Sequence, residues 1–246
     1  MVTAPTCTAG GYTTHTCHCG DTRTDQLTDP LGHDFGDWIT IEKPLHLTDG
    51  LEKRTCSRCA LEETRTIPRL ANPFIDVPEG TFYFEPVLWA VDNGITNGTT
   101  PTTFSPNDNC MRAQVVTFLW RAAGQPEPTR MENPFADVAE DAFYYKAVLW
   151  AVEKGITNGL DATHFGPRSY CNRAQVVTFL YRSLGSPQTD SRANPFTDVP
   201  DGQWFTAPVL WAVEKGITNG LTASTFGPNS ICNRAQIVTF LYRASA

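Results

Sequence analysis

Lysine and other basic residues are scarce in this sequence. Only five of the 246 residues are lysine, and 19 Lys and Arg stand against 26 Asp and Glu, so the formal net charge is −7. Affinity for nucleic acid depends largely on clustered basic side chains that neutralise phosphates. We therefore expect no nucleic-acid partner.

Long apolar runs are also missing. The longest recurring run is VLWAV, whereas a helix needs about 20 apolar residues to cross a bilayer, so we expect no membrane insertion. The opening MVTAPTCTAG has neither a basic start nor an apolar segment and is not expected to be a secretion signal. If the protein is exported, this chain would be a processed piece. A hydrophobic fraction of 41% is still enough to build a core.

Most of the chain consists of three copies of one pattern. Residues 72–121, 133–182 and 194–243 align without a gap at a period of 61, and each contains NPFxDV, VLWAV, GITNG, an F-x-P turn and C-x-RAQ. The links 124–132 and 185–193 are polar with Pro and Gly, as loops are. Short repeats need their neighbours to bury a core, so we expect the three copies to fold as one unit.

Each copy predicts a helix, a turn and a second helix. In the middle copy the first helix covers about residues 145–154 and ends at Gly155, where a left-handed cap suits glycine. The second begins at NRAQ, where Asn172 caps the backbone amides and Gln175 reaches back. The first copy has Met111 at the cap position, which should cost about 0.5–2 kcal/mol of helix stabilisation.

These motifs together resemble the S-layer homology domain, whose repeats have an F-x-D-V start, a GI..G segment, an F.P turn and a TRAE helix start, here MRAQ, NRAQ and NRAQ. The resemblance implies a mostly α fold, with three helix-turn-helix repeats at 71–125, 126–186 and 187–246 in a pseudo-threefold bundle, after a small β-hairpin module at 1–70. It also implies an extracellular location, in the cell wall or S-layer of a bacterium. The implied role is noncovalent anchoring of an exported protein through a pyruvylated wall polysaccharide bound in grooves between repeats.

An arginine recurs at each second-helix start. A pyruvyl ketal exposes a carboxylate, which suits the guanidinium fork, and a helix start adds free amides. The alternative is a bond between repeats, such as a salt bridge with Asp76, Asp137 or Asp198. The recurring tryptophans either cover sugar faces or pack in the core. The candidate glycan-binding residues are Arg112, Arg173, Arg234, Gln114, Gln175, Gln236, Trp89, Trp150, Trp211, Asn97, Gly98, Asn158, Gly159, Asn219 and Gly220.

A second function class is a structural module that contacts other surface-layer subunits without binding glycan. Met111 and the glutamine in place of the family's acid favour it. We expect no enzyme, because a glycoside hydrolase needs two carboxylates around one bond and no acidic pair stands in such a setting. Cys110, Cys171 and Cys232 are expected to be small buried hydrophobes, with a metal or disulfide as the alternative. We expect no cofactor in the repeats.

The first 70 residues hold five of the eight cysteines and four of the five histidines. CTAGGYTTHTCHC at 7–19 aligns with HLTDGLEKRTCSRC at 46–59, which predicts two similar hairpins. Thiolates and imidazoles suit tetrahedral zinc, so we expect one to two zinc ions. The alternative is a disulfide, Cys56 with Cys59 or Cys7 with Cys17. The first ligand set is Cys7, Cys17, Cys19 and His33, and the second, which lacks an obvious fourth ligand, is His46, Cys56 and Cys59.

Overall fold

The computed structural model describes residues 1–130, 132–189 and 193–245. Parts of the two predicted inter-repeat loops, at 131 and 190–192, lie outside the described residues. The chain divides into two compact units, Met1–Ala71 and Asn72–Ala246.

The first unit contains two three-stranded antiparallel sheets, one after the other along the chain. This arrangement confirms the two similar hairpins. In the first sheet the turn between the last two strands follows the pair Thr16 and Thr22, and in the second sheet it follows the pair Thr55 and Glu62. The strands are β1 (Val2–Thr3), β2 (Tyr12–Thr16), β3 (Thr22–Asp25), β4 (Ile39–Glu42), β5 (Gly50–Thr55) and β6 (Glu62–Ile67).

This unit has very little apolar core. Within residues 1–71, the buried apolar side chains are those of Cys7 and Cys56, at 7% and 2% exposure. A domain of this size with so little buried apolar surface needs a further source of stability, such as a disulfide or a metal.

The second unit contains six helices within the described residues. The prediction for the middle copy is confirmed, since its first helix ends at Glu153 and Gly155 has a φ of +66°. The helices are α1 (Phe84–Asp92), α2 (Arg112–Ala122), α3 (Tyr145–Glu153), α4 (Arg173–Ser183), α5 (Thr206–Glu214) and α6 (Arg234–Ser245). None of the helices described is long and apolar enough to span a bilayer.

The expectation of a mostly α fold is wrong. Only 25% of the chain is helical, and 15% lies in strands or isolated β-bridges. Each 61-residue repeat forms just two short helices because the segment between them, from GITNG to the F-x-P turn, holds glycine and proline and runs as turns and extended chain. The first unit adds two sheets and no helix among its described residues.

The six helices interlock between repeats. The inner helices α2, α4 and α6 contact one another, while α3 packs on α2, α5 on α4 and α1 on α6. Each outer helix therefore packs on the inner helix of the preceding repeat, and the first repeat packs on the last. A single repeat cannot bury both of its helices on its own.

The three repeat cysteines form a closed ring of backbone hydrogen bonds. The Cys171 amide donates to the Cys110 carbonyl at 3.1 Å, Cys232 donates to Cys171 at 3.0 Å, and Cys110 donates to Cys232 at 3.0 Å. All three are fully buried and their thiols are free. Burial raises the pKa of each thiol. The interpretation as small buried hydrophobes is confirmed.

Candidate functional site

The arginines at the inner-helix starts reach across to the next repeat. Arg112 is 2% exposed, and its Nε donates to the carbonyl oxygen of Phe165 at 3.0 Å. Its Nη2 donates to Thr157 Oγ1 at 3.2 Å, and its guanidinium lies 5.0 Å from the centre of the Phe165 ring. Arg173 binds Phe226 in the same way, with Nε 3.1 Å from the carbonyl oxygen. These two arginines therefore join successive repeats.

The aspartates of the NPFxDV motif bind the same F-x-P turns, but they bind backbone amides instead of carbonyl oxygens. Asp137 accepts the Phe165 amide at 2.8 Å and the Gly166 amide at 2.8 Å. Asp76 and Asp198 bind the equivalent amides of their own repeats. The aspartates thus bind turn amides, while the arginines bind the carbonyl oxygen of the same phenylalanine.

Arg234 differs from the other two arginines. Its Nε donates to the Phe104 carbonyl at 2.9 Å and so joins the third repeat to the first. Its Nη2 is buried and finds no hydrogen-bond partner among the described residues, whereas the Nη2 of Arg173 donates to Thr218 and Asn219. Burial lowers the pKa of all three guanidiniums. Of the three arginines, only Arg234 has a buried guanidinium nitrogen without a hydrogen-bond partner among the described residues.

Arg234 lines a groove of about 400 Å³. The groove lies between the GITNG segment of the first repeat, helix α2 and the loop of the second repeat that carries Phe143, which is 65% exposed. Two of its lining side chains are arginines, and none of those described is acidic. The lining residues are Thr96, Asn97, Gly98, Thr99, Gln114, Thr117, Phe118, Arg121, Phe143 and Arg234.

Sequence reasoning missed six of these residues, of which Arg121 offers a charged donor and Phe143 an exposed ring. Arg121 donates from Nη1 to the Ile95 carbonyl at 3.1 Å, which fixes the guanidinium beside the GITNG segment. Two recurring signals in the sequence mark Arg121 and Phe143. Every repeat ends its second helix with an aromatic residue and Arg, and every repeat has a pair of adjacent aromatic residues before its first helix.

The other predicted glycan-binding residues lie outside this groove or form hydrogen bonds with backbone amides. Gln175 Oε1 accepts the Asn172 amide at 3.1 Å, and Gln114 and Gln236 do the same at their helix starts. Trp150 and Trp211 are buried in the core, and the partly buried Trp89 lines an apolar cavity at the far ends of the inner helices. The structure thus brings together Arg234, Gln114, Asn97 and Gly98. The residues it leaves outside this groove are Arg112, Arg173, Gln175, Gln236, Trp89, Trp150, Trp211, Asn158, Gly159, Asn219 and Gly220.

The three interlocked repeats match the S-layer homology domain over residues 73–116, 134–177 and 195–238. The chain belongs to this family. The recognition made from the sequence motifs is therefore confirmed, and family membership supports a cell-wall anchoring role for a surface protein and a location at the cell wall.

Similar proteins come from several bacteria. A "Cell surface protein" of Thermoanaerobacter kivui is 36% identical over 46% of this chain and 15% of its own length. The "S-layer protein sap" of Bacillus anthracis is 34% identical over 45% of this chain and 13% of its own. An "Endoglucanase" of a Bacillus species is 33% identical over 45% of this chain and 12% of its own. The chain thus covers only a small part of each relative.

A second candidate site lies in the first unit. Cys7, His33, Cys56 and Cys59 place one possible ligand atom each within 4.8 Å of all the others. The Cys7 and Cys56 sulfurs are 3.8 Å apart, and Cys59 Sγ is 3.3 Å from His33 Nδ1. This group can hold a metal ion. It takes two residues from each predicted ligand set rather than either set whole.

Backbone hydrogen bonds assemble the cluster from both hairpins. The Gly32 amide donates to the Cys7 carbonyl at 3.1 Å, which fixes the segment before His33. The Ser57 amide donates to the Asp34 carbonyl at 2.9 Å, which fixes the segment after His33 to the second hairpin. The His33 segment is therefore held between the two hairpins.

The pKa values of the two buried thiols of the cluster are shifted in opposite directions. Burial raises the pKa of Cys7 to about 11, and the neighbouring Cys59 and Cys56 add to the rise. Burial also opposes ionisation of Cys56, but amide hydrogen bonds, first from Asp34 and then from Arg58, outweigh it and lower its pKa to about 5. The Asp34 amide lies 3.3 Å from the Cys56 sulfur. Such bonds favour the thiolate, which is the form that binds metals.

The remaining predicted ligands are not part of this cluster. Cys17 and Cys19 form a disulfide, while Cys7, Cys56 and Cys59 are free. Neither disulfide considered from the sequence is therefore present. His46 also lies outside the four-residue group.

Proposed function

We propose that this chain anchors a surface protein by binding an anionic cell-wall polysaccharide in the groove between the first two repeats. The observation that carries the proposal is that Arg234, which lines that groove, has a buried Nη2 without a partner among the described residues. A buried donor left without a partner costs about 1–3 kcal/mol. A ligand oxygen that meets this donor recovers that free energy.

The groove suits a sugar that carries a carboxylate. Arg234 Nη2 and Arg121 both offer charged donors, and Gln114 has its amide nitrogen free to donate because its oxygen already accepts the Met111 amide. The exposed ring of Phe143 stands at the rim, where it can cover the apolar face of a sugar ring. A pyruvyl ketal is the carboxylate we propose, since charge-assisted hydrogen bonds to guanidinium are strong.

The geometry changes which arginine should matter most. In Arg234 the Nε is bound to Phe104, so the ligand meets Nη2 instead of the whole fork. In Arg112 and Arg173 both Nε and Nη2 already donate within the protein. We therefore propose one principal site at Arg234, and a mainly structural role for Arg112 and Arg173.

The test is calorimetric titration of the full chain with a pyruvylated wall oligosaccharide and with the same oligosaccharide after removal of pyruvate. Arg234→Ala should weaken binding by about 1.5–3 kcal/mol, the range for hydrogen bonds to charged groups, and removal of pyruvate should have a comparable effect. Arg173→Ala is the matched control, because it removes an equivalent arginine from a position outside the groove. Equal affinities for the native chain and a folded Arg234→Ala variant would contradict the proposal.

A second candidate function is contact with other surface-layer subunits. The observation that favours it is the exposed aromatic residue before each outer helix, namely Phe82, Phe143 and Trp204 at 59%, 65% and 52% exposure. Sedimentation velocity over a range of concentrations distinguishes the two. Self-association that Phe82→Ser and Trp204→Ser abolish, without glycan binding, would favour assembly. For this chain itself we propose no catalytic activity.

For the first unit we propose zinc as the bound metal. Three thiols and one imidazole form a donor set that tetrahedral zinc prefers. Elemental analysis of the freshly purified, reduced chain checks this choice, and a chain that holds iron or no metal would refute it.

A further inference from the structure

The geometry points to one metal ion shared by the two hairpins, bound by Cys7 and His33 from one side and by Cys56 and Cys59 from the other. The ion thereby holds the two sheets of the first unit together. This inference rests on the proposal that the unit binds zinc, but it specifies which residues bind and how many ions are held.

Two donor-to-donor distances fit a single tetrahedral centre, and all four donor atoms lie within 4.8 Å of one another. Two sulfurs that each lie about 2.3 Å from a tetrahedral ion are about 3.8 Å apart, and a sulfur and a histidine nitrogen are about 3.5 Å apart. The corresponding separations are 3.8 Å between Cys7 and Cys56 and 3.3 Å between Cys59 and His33. Four donors already arranged in this way require little rearrangement to bind.

The turn that carries Cys56 and Cys59 is shaped for metal binding. The Cys56 amide donates to the Leu61 carbonyl at 2.8 Å, and the Ala60 amide donates back to the Cys56 carbonyl at 3.0 Å. Ala60 has a φ of +59°, which folds the chain tightly and turns both sulfurs to one side. The Asp34 amide bonds to the Cys56 sulfur at 3.3 Å and so supports the ligand from outside the centre.

The equivalent turn of the first hairpin is one residue shorter. The Cys17 amide donates to the Asp21 carbonyl at 2.9 Å, and the Gly20 amide donates to Cys17 at 3.0 Å. Its two sulfurs are joined in a disulfide. Among residues 1–71, the structure places no second Cys and His pair opposite this turn. The C-x-C turn therefore stays outside the metal centre.

The burial of side chains in the first unit indicates that the ion has a structural role. Cys7 and Cys56 are the buried apolar side chains of the unit, so the metal centre occupies the place of a hydrophobic core. Where a core is that small, the free energy of metal binding contributes directly to folding. Without the ion, both sheets should lose order together.

The experiment uses Co²⁺ as a probe on the full chain, reduced and stripped of metal by a chelator. The native chain should bind one Co²⁺ per chain with the visible absorption of a tetrahedral thiolate site, and Zn²⁺ should displace it. Cys59→Ser and Cys7→Ser, one ligand from each hairpin, should each weaken Co²⁺ binding by about 100-fold or more, beyond the 10- to 100-fold effect of losing an outer-shell partner. The double variant Cys17→Ser and Cys19→Ser is the matched control and should bind Co²⁺ as the native chain does.

Each of the other outcomes would refute a specific part of the proposal. No Co²⁺ or Zn²⁺ binding by the reduced chain would refute the zinc proposal and this inference together. Two ions per chain, or weakened binding in the control variant, would refute only the shared centre. Hydrogen exchange tests the role of the ion, with residues 72–245 as an internal reference. Zn²⁺ should protect the amides of both β2 and β5, and protection confined to β5 would show that the ion does not join the hairpins.

Discussion

Met111 has the same extended backbone at the start of α2 that Asn172 has at the start of α4, but only Asn172 places a side-chain oxygen on its helix. The φ and ψ angles are −77° and 153° at Met111 and −84° and 169° at Asn172. Asn172 Oδ1 accepts the Gln175 amide at 2.9 Å, whereas Met111 makes no such bond. The sequence-based expectation of a missing cap in the first repeat is confirmed.

Met111→Asn should stabilise the protein by about 0.5–2 kcal/mol, the usual contribution of an N-cap. The existing backbone angles already suit asparagine, so the new side chain needs no rearrangement. The measurement is the midpoint of guanidinium chloride unfolding followed by tryptophan fluorescence, since five of the six tryptophans lie in residues 72–246. Asn172→Ala should lower the midpoint by a similar amount. If both changes moved the midpoint in the same direction, the capping explanation would fail.

Arg173→Ala should reduce stability more than Arg234→Ala. The Arg173 side chain donates to Phe226, Thr218 and Asn219, while the Arg234 side chain makes one hydrogen bond among the described residues, to Phe104. Hydrogen bonds to charged groups contribute about 1.5–3 kcal/mol each, though such values do not simply add. Urea unfolding of the two variants gives the comparison. A larger loss of unfolding free energy in Arg234→Ala would show that the unpaired Nη2 has a partner in solution.

Gly98→Ala should deform the groove and weaken glycan binding. Gly98 has a φ of +84°, and a Cβ there would lie 2.5 Å from the Thr103 carbonyl oxygen and 2.6 Å from the Phe74 ring. Gly94→Ala is a suitable control, because Gly94 also has positive φ, +67°, but nothing lies within 4 Å of an added Cβ. Both changes incur the left-handed cost of about 1–2 kcal/mol. Only Gly98→Ala should cost more than that in thermal unfolding and also impair calorimetric binding.

Removal of residues 187–246 should unfold the remaining two repeats. The deletion takes away α6, which supports α1, and α5, which covers α4. Circular dichroism should then show no cooperative thermal transition. Removal of residues 1–71, which form a separate unit, should leave the transition of the repeats intact. A two-repeat chain that melts cooperatively as a monomer would disprove the interlocked core.

The sequence was most informative for features that depend on interactions between residues close together in the chain. The start of α4 at Asn172 and the end of α3 before Gly155 depend on capping chemistry within a few residues, and both predictions are confirmed. The mostly α fold was wrong because apolar periodicity marks helices well but says little about the length of turn and extended chain between them.

The sequence did not predict which distant residues contact one another in the fold. The helix-start position of Arg112 suggested exposure to a ligand, but its long side chain spans the contact between repeats and binds Phe165. Likewise, ligand sets for a metal were assembled within each hairpin, and nothing in the spacing showed that Cys7 and His33 would meet Cys56 instead. Such contacts depend on how elements pack, and one sequence carries no direct signal of that.

The closed ring of cysteine hydrogen bonds has a consequence for the order of the repeats. Because the third repeat joins the first through the same cysteine backbone bonds and the same pairing of helices as the other two contacts, helix packing does not distinguish a first repeat from a last. A circularly permuted chain, opened between α2 and α3 and joined from the end of α6 to the start of the first repeat, would bury the same surfaces. The fold of the repeats is therefore cyclic, although the chain that forms it is linear.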